Sequence, residues 1–218
     1  MKISINEIVE NLAFVLGDQY NMTLREALKH TVSIYREKLL REEDFNSGLN
    51  YNDFSQNIEM PLEDWSHPIC GTGKITTEEI PLSIRFKNRG RVNYLYVGDS
   101  TFGHAYTQTS FVEYPFIMKL KHNVNALYYI IENGKMIILD NHKQCSLGII
   151  GIFSEPQNAV KFCDNVETIL DDNPYPLSGD LLARIRQGII SGDFPIRKKG
   201  EEGVITSNSA NELLQKAK

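Results

Sequence analysis

Cysteine is scarce in this 218-residue chain, where Cys70, Cys145 and Cys163 form an odd, scattered set. Three such residues do not describe a disulfide framework, and a reducing compartment accounts for them. Long apolar runs are missing too. The stretch from Leu147 to Phe153 is far too short to span a bilayer, so no membrane partner is expected. The N-terminus carries Glu7 and Glu10 where a signal peptide would be basic and then apolar, which implies synthesis in a cytoplasm. Basic charge is in deficit, with a formal net charge of -5. Wrapping nucleic acid needs a basic footprint, so that is excluded as the main task.

What is present is the material of a globular core. A 41% hydrophobic and 23% charged composition supports one generous domain or a domain with an accessory piece. Two helices are expected first, as an N-terminal helical hairpin over residues 1–43. Ser4 suits an N-cap, and Ile5, Ile8, Val9, Leu12, Val15 and Leu16 recur at helical spacing up to Gly17-Asp18. Thr23 and Glu26 read as a capping box for the second helix, whose stripe is Leu24, Ala27, Leu28, Thr31, Ile34, Tyr35 and Leu39.

Periodicity then fades from Asp44 to Glu79, amid Asn, Asp, Ser, Gly and Pro. A structureless loop of that length is unusual inside a compact domain, so residues 44–79 read as an extended arm or a loop that packs on a neighbour. Residues 80–153 read as an antiparallel β core, a sheet or small barrel. Ile80–Phe86 and Val92–Val97 flank Asn88-Arg89-Gly90, and Tyr128–Ile131 and Met136–Leu139 flank a turn holding Asn133-Gly134. Phe111–Leu120 and Ser146–Phe153 read as further strands. Residues 154–192 are expected to be C-terminal helices packing on the core, with Pro156 in a first turn and Ser178 and Gly192 bounding the second. Residues 193–218 read as a flexible polar tail, with a short helix at Glu212–Gln215. The fold class is α+β.

Several motifs invite a chemical reading and fail on their context. Gly71-Thr72-Gly73-Lys74 lacks both the earlier glycine and the following Ser or Thr of a phosphate-cradling loop; Pro68 and Ile75 stand there instead. Val97-Gly98-Asp99-Ser100 resembles the serine block of Gly-Asp-Ser esterases. The only matching Asp-x-x-His, Asp64 to His67, lies upstream, and a nucleophile needs a base within hydrogen-bond reach. His67 with Cys70 and His142 with Cys145 have the chemistry of a tetrahedral zinc set if the two pairs meet, although His-x-x-Cys is not the common spacing. Turn and core roles are the ordinary alternative. No heme, flavin, dinucleotide or paired-carboxylate pattern is present, so no cofactor, metal or catalytic residue is expected.

One electrostatic feature stands out on this acidic chain. Arg85, Lys87, Arg89 and Arg91 alternate with Ile84, Phe86 and Val92 around the Asn88-Arg89-Gly90 turn. Strand alternation puts Arg85 and Lys87 on one face. That face either is solvated, discouraging edge pairing, or meets an acidic partner or DNA.

The stretch from Phe162 to Ile185, with its Tyr175-Pro176-Leu177 step into a capped amphipathic helix, resembles a segment of tailed-bacteriophage virion proteins. Those of crAss-like podoviruses are the most similar, and the plan of helices, β-rich middle, C-terminal helix and loose tail is similar over most of the chain. The resemblance implies a non-enzymatic head-to-tail connector or ring protein of the virion neck or tail. It implies as partners copies of the chain in a ring, the neighbouring portal and tail proteins, and non-specific contact with packaged DNA. It carries over no catalytic residue. The alternative is an intracellular protein-binding module acting through its β core.

Overall fold

The computed structural model describes residues 3–46, 49–68, 70–86, 94–99, 103–119, 127–139, 144–160, 162 and 170–197. In chain order the elements begin with α1 (Ile5–Val15), α2 (Met22–Asn46), a 3₁₀ turn, β1 (Gln56–His67) and β2 (Gly71–Thr76). There follow β3 (Tyr96–Asp99), β4 (Tyr106–Gln108), α3 (Tyr114–Ile117), β5 (Leu127–Glu132) and β6 (Lys135–Ile138). The series ends with β7 (Ser146–Gly151), α4 (Pro156–Val160), a second 3₁₀ turn and α5 (Gly179–Ser191).

Local chemistry sets the helix ends. Ser4 Oγ accepts the Glu7 N–H at 3.2 Å while the Glu7 carboxylate accepts the Ser4 N–H at 2.9 Å, a reciprocal cap on α1. The α2 helix starts one residue before the expected Thr23-to-Glu26 box, because Asn21 Oδ1 accepts the Leu24 N–H at 3.0 Å. Arg25 of α2 reaches Glu10 of α1 at 2.8 Å. Ser178 caps α5 through the Leu181 N–H. Helices α1, α2 and α5 bury Ile8, Leu12, Leu28, Leu40 and Ile185 in one core, which Phe86 and Ile152 complete from the β side and Tyr175 from the entry to α5. Val15, expected on the α1 stripe, is instead exposed.

Among the described residues seven strands form one sheet, in the order β3-β7-β1-β2-β6-β5-β4. Its two edges nearly meet. Gly98 of β3 bridges Ala105, and the Asp99 N–H donates to the His104 carbonyl at 3.1 Å, so the sheet is an almost closed barrel. A Cβ on Gly98 would lie 2.1 Å from Tyr96 Oη and 2.2 Å from the His104 carbonyl oxygen, so this seam requires glycine. Inward residues Ile58, Met60, Tyr129, Met136, Leu147 and Ile149 fill the interior. Strands β5 and β6 are buried on both faces, since Tyr128, Ile130 and Ile137 pack outward against Tyr114. That explains why they read as continuous apolar runs. The turn between them has Asn133 at φ 50° and Gly134 at φ 76°, the positive angles expected of a two-residue hairpin.

Four expectations are corrected. The stretch expected to be an arm, residues 44–79, instead extends α2 to Asn46 and supplies β1 and β2 at the middle of the sheet. The first half of β1 pairs with β7 and the second half with β2, the change falling at Pro61, which has no N–H to give a ladder. Of the expected Phe111–Leu120 strand, the described part, Phe111–Lys119, is not a strand. Ser110 Oγ accepts the Glu113 N–H at 3.2 Å and donates to its carboxylate, and Pro115 fits the first turn of α3. Nor is the sheet wholly antiparallel: β4 and β5 pair in parallel, with α3 on the crossover between them. Ile80–Phe86 makes only an isolated bridge, Ser83 to Phe153. The 87–93 hairpin tip and the 212–215 helix lie outside the described residues. No described helix is long and apolar enough to cross a membrane.

Burial of tyrosines gives the barrel an alkaline limit. Tyr94 has its phenol pushed up to about 12 by burial, against an ordinary 10.0. A raised pKa means the folded state holds the proton more tightly, so this stability is fully present below pH 10 and is lost as pH climbs towards 12. The loss is about 2–3 kcal/mol. Denaturant titrations at stepped alkaline pH should show it, and Tyr94→Phe should flatten the decline by that amount. An unchanged slope in Tyr94→Phe would place the alkaline sensitivity elsewhere.

Candidate interaction site

Of the basic set, only Arg85 lies among the described residues; Lys87, Arg89 and Arg91 do not. Arg85 is exposed between Ile84 and Phe86, both buried in the helix-side core. The Ile84 N–H donates to the Ile152 carbonyl at 2.7 Å and the Ser154 N–H to the Leu82 carbonyl at 2.9 Å. These bonds tie the segment beside the end of β7 and turn Arg85 outward, as alternation requires.

The motifs with chemical overtones resolve into structure where they are described. Gly71, at φ 84°, turns the chain into β2, and a Cβ on Gly73 would lie 2.3 Å from the Ile138 carbonyl oxygen. Both glycines therefore serve the sheet. His67 stacks on Phe111 at 5.1 Å and on Trp65 at 5.6 Å, and its Nδ1 accepts the Cys70 N–H at 3.4 Å. Cys145 is exposed, while His142, Cys163 and Ser100 lie outside the described residues. Among the described residues no three His, Cys, Asp or Glu side chains gather as a ligand set. The buried Asp99 carboxylate accepts the Gly103 N–H at 2.7 Å and sits 2.9 Å from His104 Nδ1, which pins the barrel seam.

The structure adds two apolar surfaces that sequence reading missed. Val112, Phe116 and Met118 are exposed around α3, next to the half-buried Phe111 and Ile117, and Lys119 Nζ lies 5.8 Å from the Phe116 ring centre. Phe14, Val15, Tyr20 and Met22 are exposed where α1 passes into α2. Reading 111–120 as a strand gave its apolar residues no surface role. The Ser110-x-x-Glu113-x-Pro115 pattern was the signal that a short helix stands there instead. Exposed apolar clusters of this kind mark contact surfaces.

A family profile described as phage tail ring protein 2, of the crAss ring group, matches residues 5–212. The chain belongs to that family. No curated protein matches it. The match runs through the helical layer, the barrel and α5, and continues past Arg197, the last described residue. Family membership gives the chain a structural role in a phage tail ring, as part of the virion. The step that carries the resemblance to virion proteins is a structural joint. The Tyr175 N–H donates to the Ile3 carbonyl at 2.8 Å, and the Pro176 carbonyl accepts Arg36 Nε at 2.9 Å just before the Ser178 cap.

Proposed function

We propose that this tail ring protein is a non-enzymatic connector subunit, present in many identical copies, that joins the capsid portal to the tail. The single observation behind this reading is the ring-family match over residues 5–212. The surfaces are consistent with it. A ring of identical copies needs a head-to-tail interface, in which one patch meets a different patch on the next copy. The α3 patch and the α1–α2 patch sit on different cores of the molecule and are of the required kind. The exposed Arg85, with Lys87, Arg89 and Arg91, faces either the central channel, where DNA phosphates pass, or an acidic neighbouring ring. The notion that residues 44–79 reach out to a neighbour no longer supports assembly, because β1 and β2 pair within their own chain.

A phage carrying a stop codon in this gene should accumulate filled heads and separate tails, rescued by the chain supplied in trans. Ser100→Ala, His67→Ala and Cys145→Ala chains should rescue as well as the natural one. Joined, infectious particles without the chain would sink the connector reading. Failed rescue by Ser100→Ala despite normal folding would reopen a catalytic role.

A further inference from the structure

We infer that the α1–α2 turn of one copy docks against the outer face of α3 on the next copy, with Asp18 meeting Lys119. The pairing rests on the ring of identical copies proposed above, and it names which two surfaces meet.

The turn is a preformed knob. Gly17, at φ 80°, donates its N–H to the Phe14 carbonyl, and the Asp18 N–H donates to the Ala13 carbonyl, both at 3.0 Å. This pair of bonds closes α1 without a loose end. Asn21 Nδ2 donates to the Asp18 carboxylate at 2.8 Å while Asn21 Oδ1 caps α2. A turn held in this way loses little freedom on binding. Yet it keeps Phe14, Val15, Tyr20 and Met22 in water, with Tyr20 86% and Phe14 70% exposed. The two rings alone leave on the order of 300 Å² uncovered. That is a sizeable part of the roughly 800 Å² that each partner gives to a standard interface.

The outer face of α3 is the counterpart. Helical bonds run from the Tyr114 N–H on the Ser110 carbonyl to the Met118 N–H on the Tyr114 carbonyl. Tyr114 and Ile117 pack on the barrel, so Val112, Phe116 and Lys119 follow one another at helical spacing on the opposite side. Phe116 is 67% exposed there, and Lys119 Nζ lies over its ring.

Charge decides the partner. Glu10 and Arg25 pair with each other, which leaves Asp18 as the carboxylate of the turn. It stands beside a helix end with no basic residue in its last turn, so this end is negative. On α3, Glu113 accepts from Ser110 Oγ at 3.1 Å, and Lys119 is the cation of the outer face. Neither Asp18 nor Lys119 has an ionic partner among the described residues. A turn-to-turn or α3-to-α3 contact would bring like charges together, whereas turn-to-α3 joins opposite ones. That contact is also the heterologous kind that closes a ring of more than two copies.

The test uses virions of the stop-codon phage complemented by a chain with Tyr20 replaced by the photocrosslinker p-benzoylphenylalanine. Irradiation should give products of twice the chain's mass and above, with the adduct on residues 112–119. In a second arm, Lys119→Glu should lower infectious particles about tenfold, since like charges then face each other. Adding Asp18→Lys to that chain, checked for an unchanged circular dichroism spectrum, should restore the yield. Adducts elsewhere on the neighbouring copy, on another virion protein or within one chain would overturn the pairing, as would no adduct at all. So would a Lys119→Glu defect left unrelieved by Asp18→Lys in a folded chain; should the double variant misfold, the crosslink decides alone. A wrong pairing leaves the ring visible in particle images, whereas a wrong ring reading shows as particles that lack the chain or hold it outside any ring.

Discussion

Replacing Arg36 with alanine should cost about 4 kcal/mol of folding stability, the sum of a large cavity and two stranded carbonyls. Arg36 is 0% exposed in the middle of α2. Its Nε donates to the Pro176 carbonyl and its Nη1 to the Phe153 carbonyl, both at 2.9 Å, and its guanidinium lies 5.6 Å from the Tyr175 ring centre. One side chain thus ties α2 to the end of the barrel and to the entry of α5. Burial lowers its pKa, with Tyr175 and Glu37 pulling the other way, but an arginine stays charged regardless. Among the described residues no carboxylate accepts a hydrogen bond from it and Nη2 has no acceptor, so the cation is held by two carbonyl dipoles and the face of Tyr175. For a chain of this size the loss corresponds to a melting point lower by roughly 8–16 °C. Arg36→Met, which refills the space and removes the desolvated charge, should recover about half of that loss. Thermal unfolding of both variants checks this; an Arg36→Ala chain as stable as the natural one would mean that the fork carries no weight.

The second large effect concerns assembly. Reversing Arg85, Lys87, Arg89 and Arg91 to glutamate should cut completed virions roughly a hundredfold, because like charges brought face to face cost several kcal/mol at an interface. Copies repeated around a ring would sum their potential, so the effect belongs to the assembly and not to the monomer. Exposed charges are screened over about 8 Å at physiological ionic strength. Reconstituted assembly by the natural chain should accordingly weaken as salt rises, while the folded chain itself is unchanged. Normal particle yield from the reversed chain would reduce the set to a solubilising face.

The contrast between what was legible in the sequence and what was not follows the range of the interactions. Ser4 with Glu7, Ser178 with Leu181, and Asn133-Gly134 act within a few residues, and each was readable from its own neighbourhood. Strand β1 was not. Its outward positions carry Asn57, Glu59 and Glu63, and its partners lie far along the chain in β7 as well as next door in β2. Nothing local marks such pairing. Arg36 was hidden for the same reason, since an arginine in a helix reads as surface until carbonyls 117 and 140 residues away arrive to hold it. Helix α3 is a different case: Ser110, Glu113 and Pro115 announced it, and the apolar residues beside them outweighed the signal. As for the candidate site, the outward turn of Arg85 was legible from alternation alone. The α3 and α1–α2 apolar patches needed the fold.

The most direct test of the ring assignment is an image reconstruction of purified virions at a resolution that traces side chains. The account predicts a rotationally symmetric ring of this chain between head and tail, with the α3 patch of each copy against its neighbour and Arg85 facing the channel or an adjoining acidic ring. A particle that lacks the chain, or holds it as isolated copies outside any ring, would contradict it.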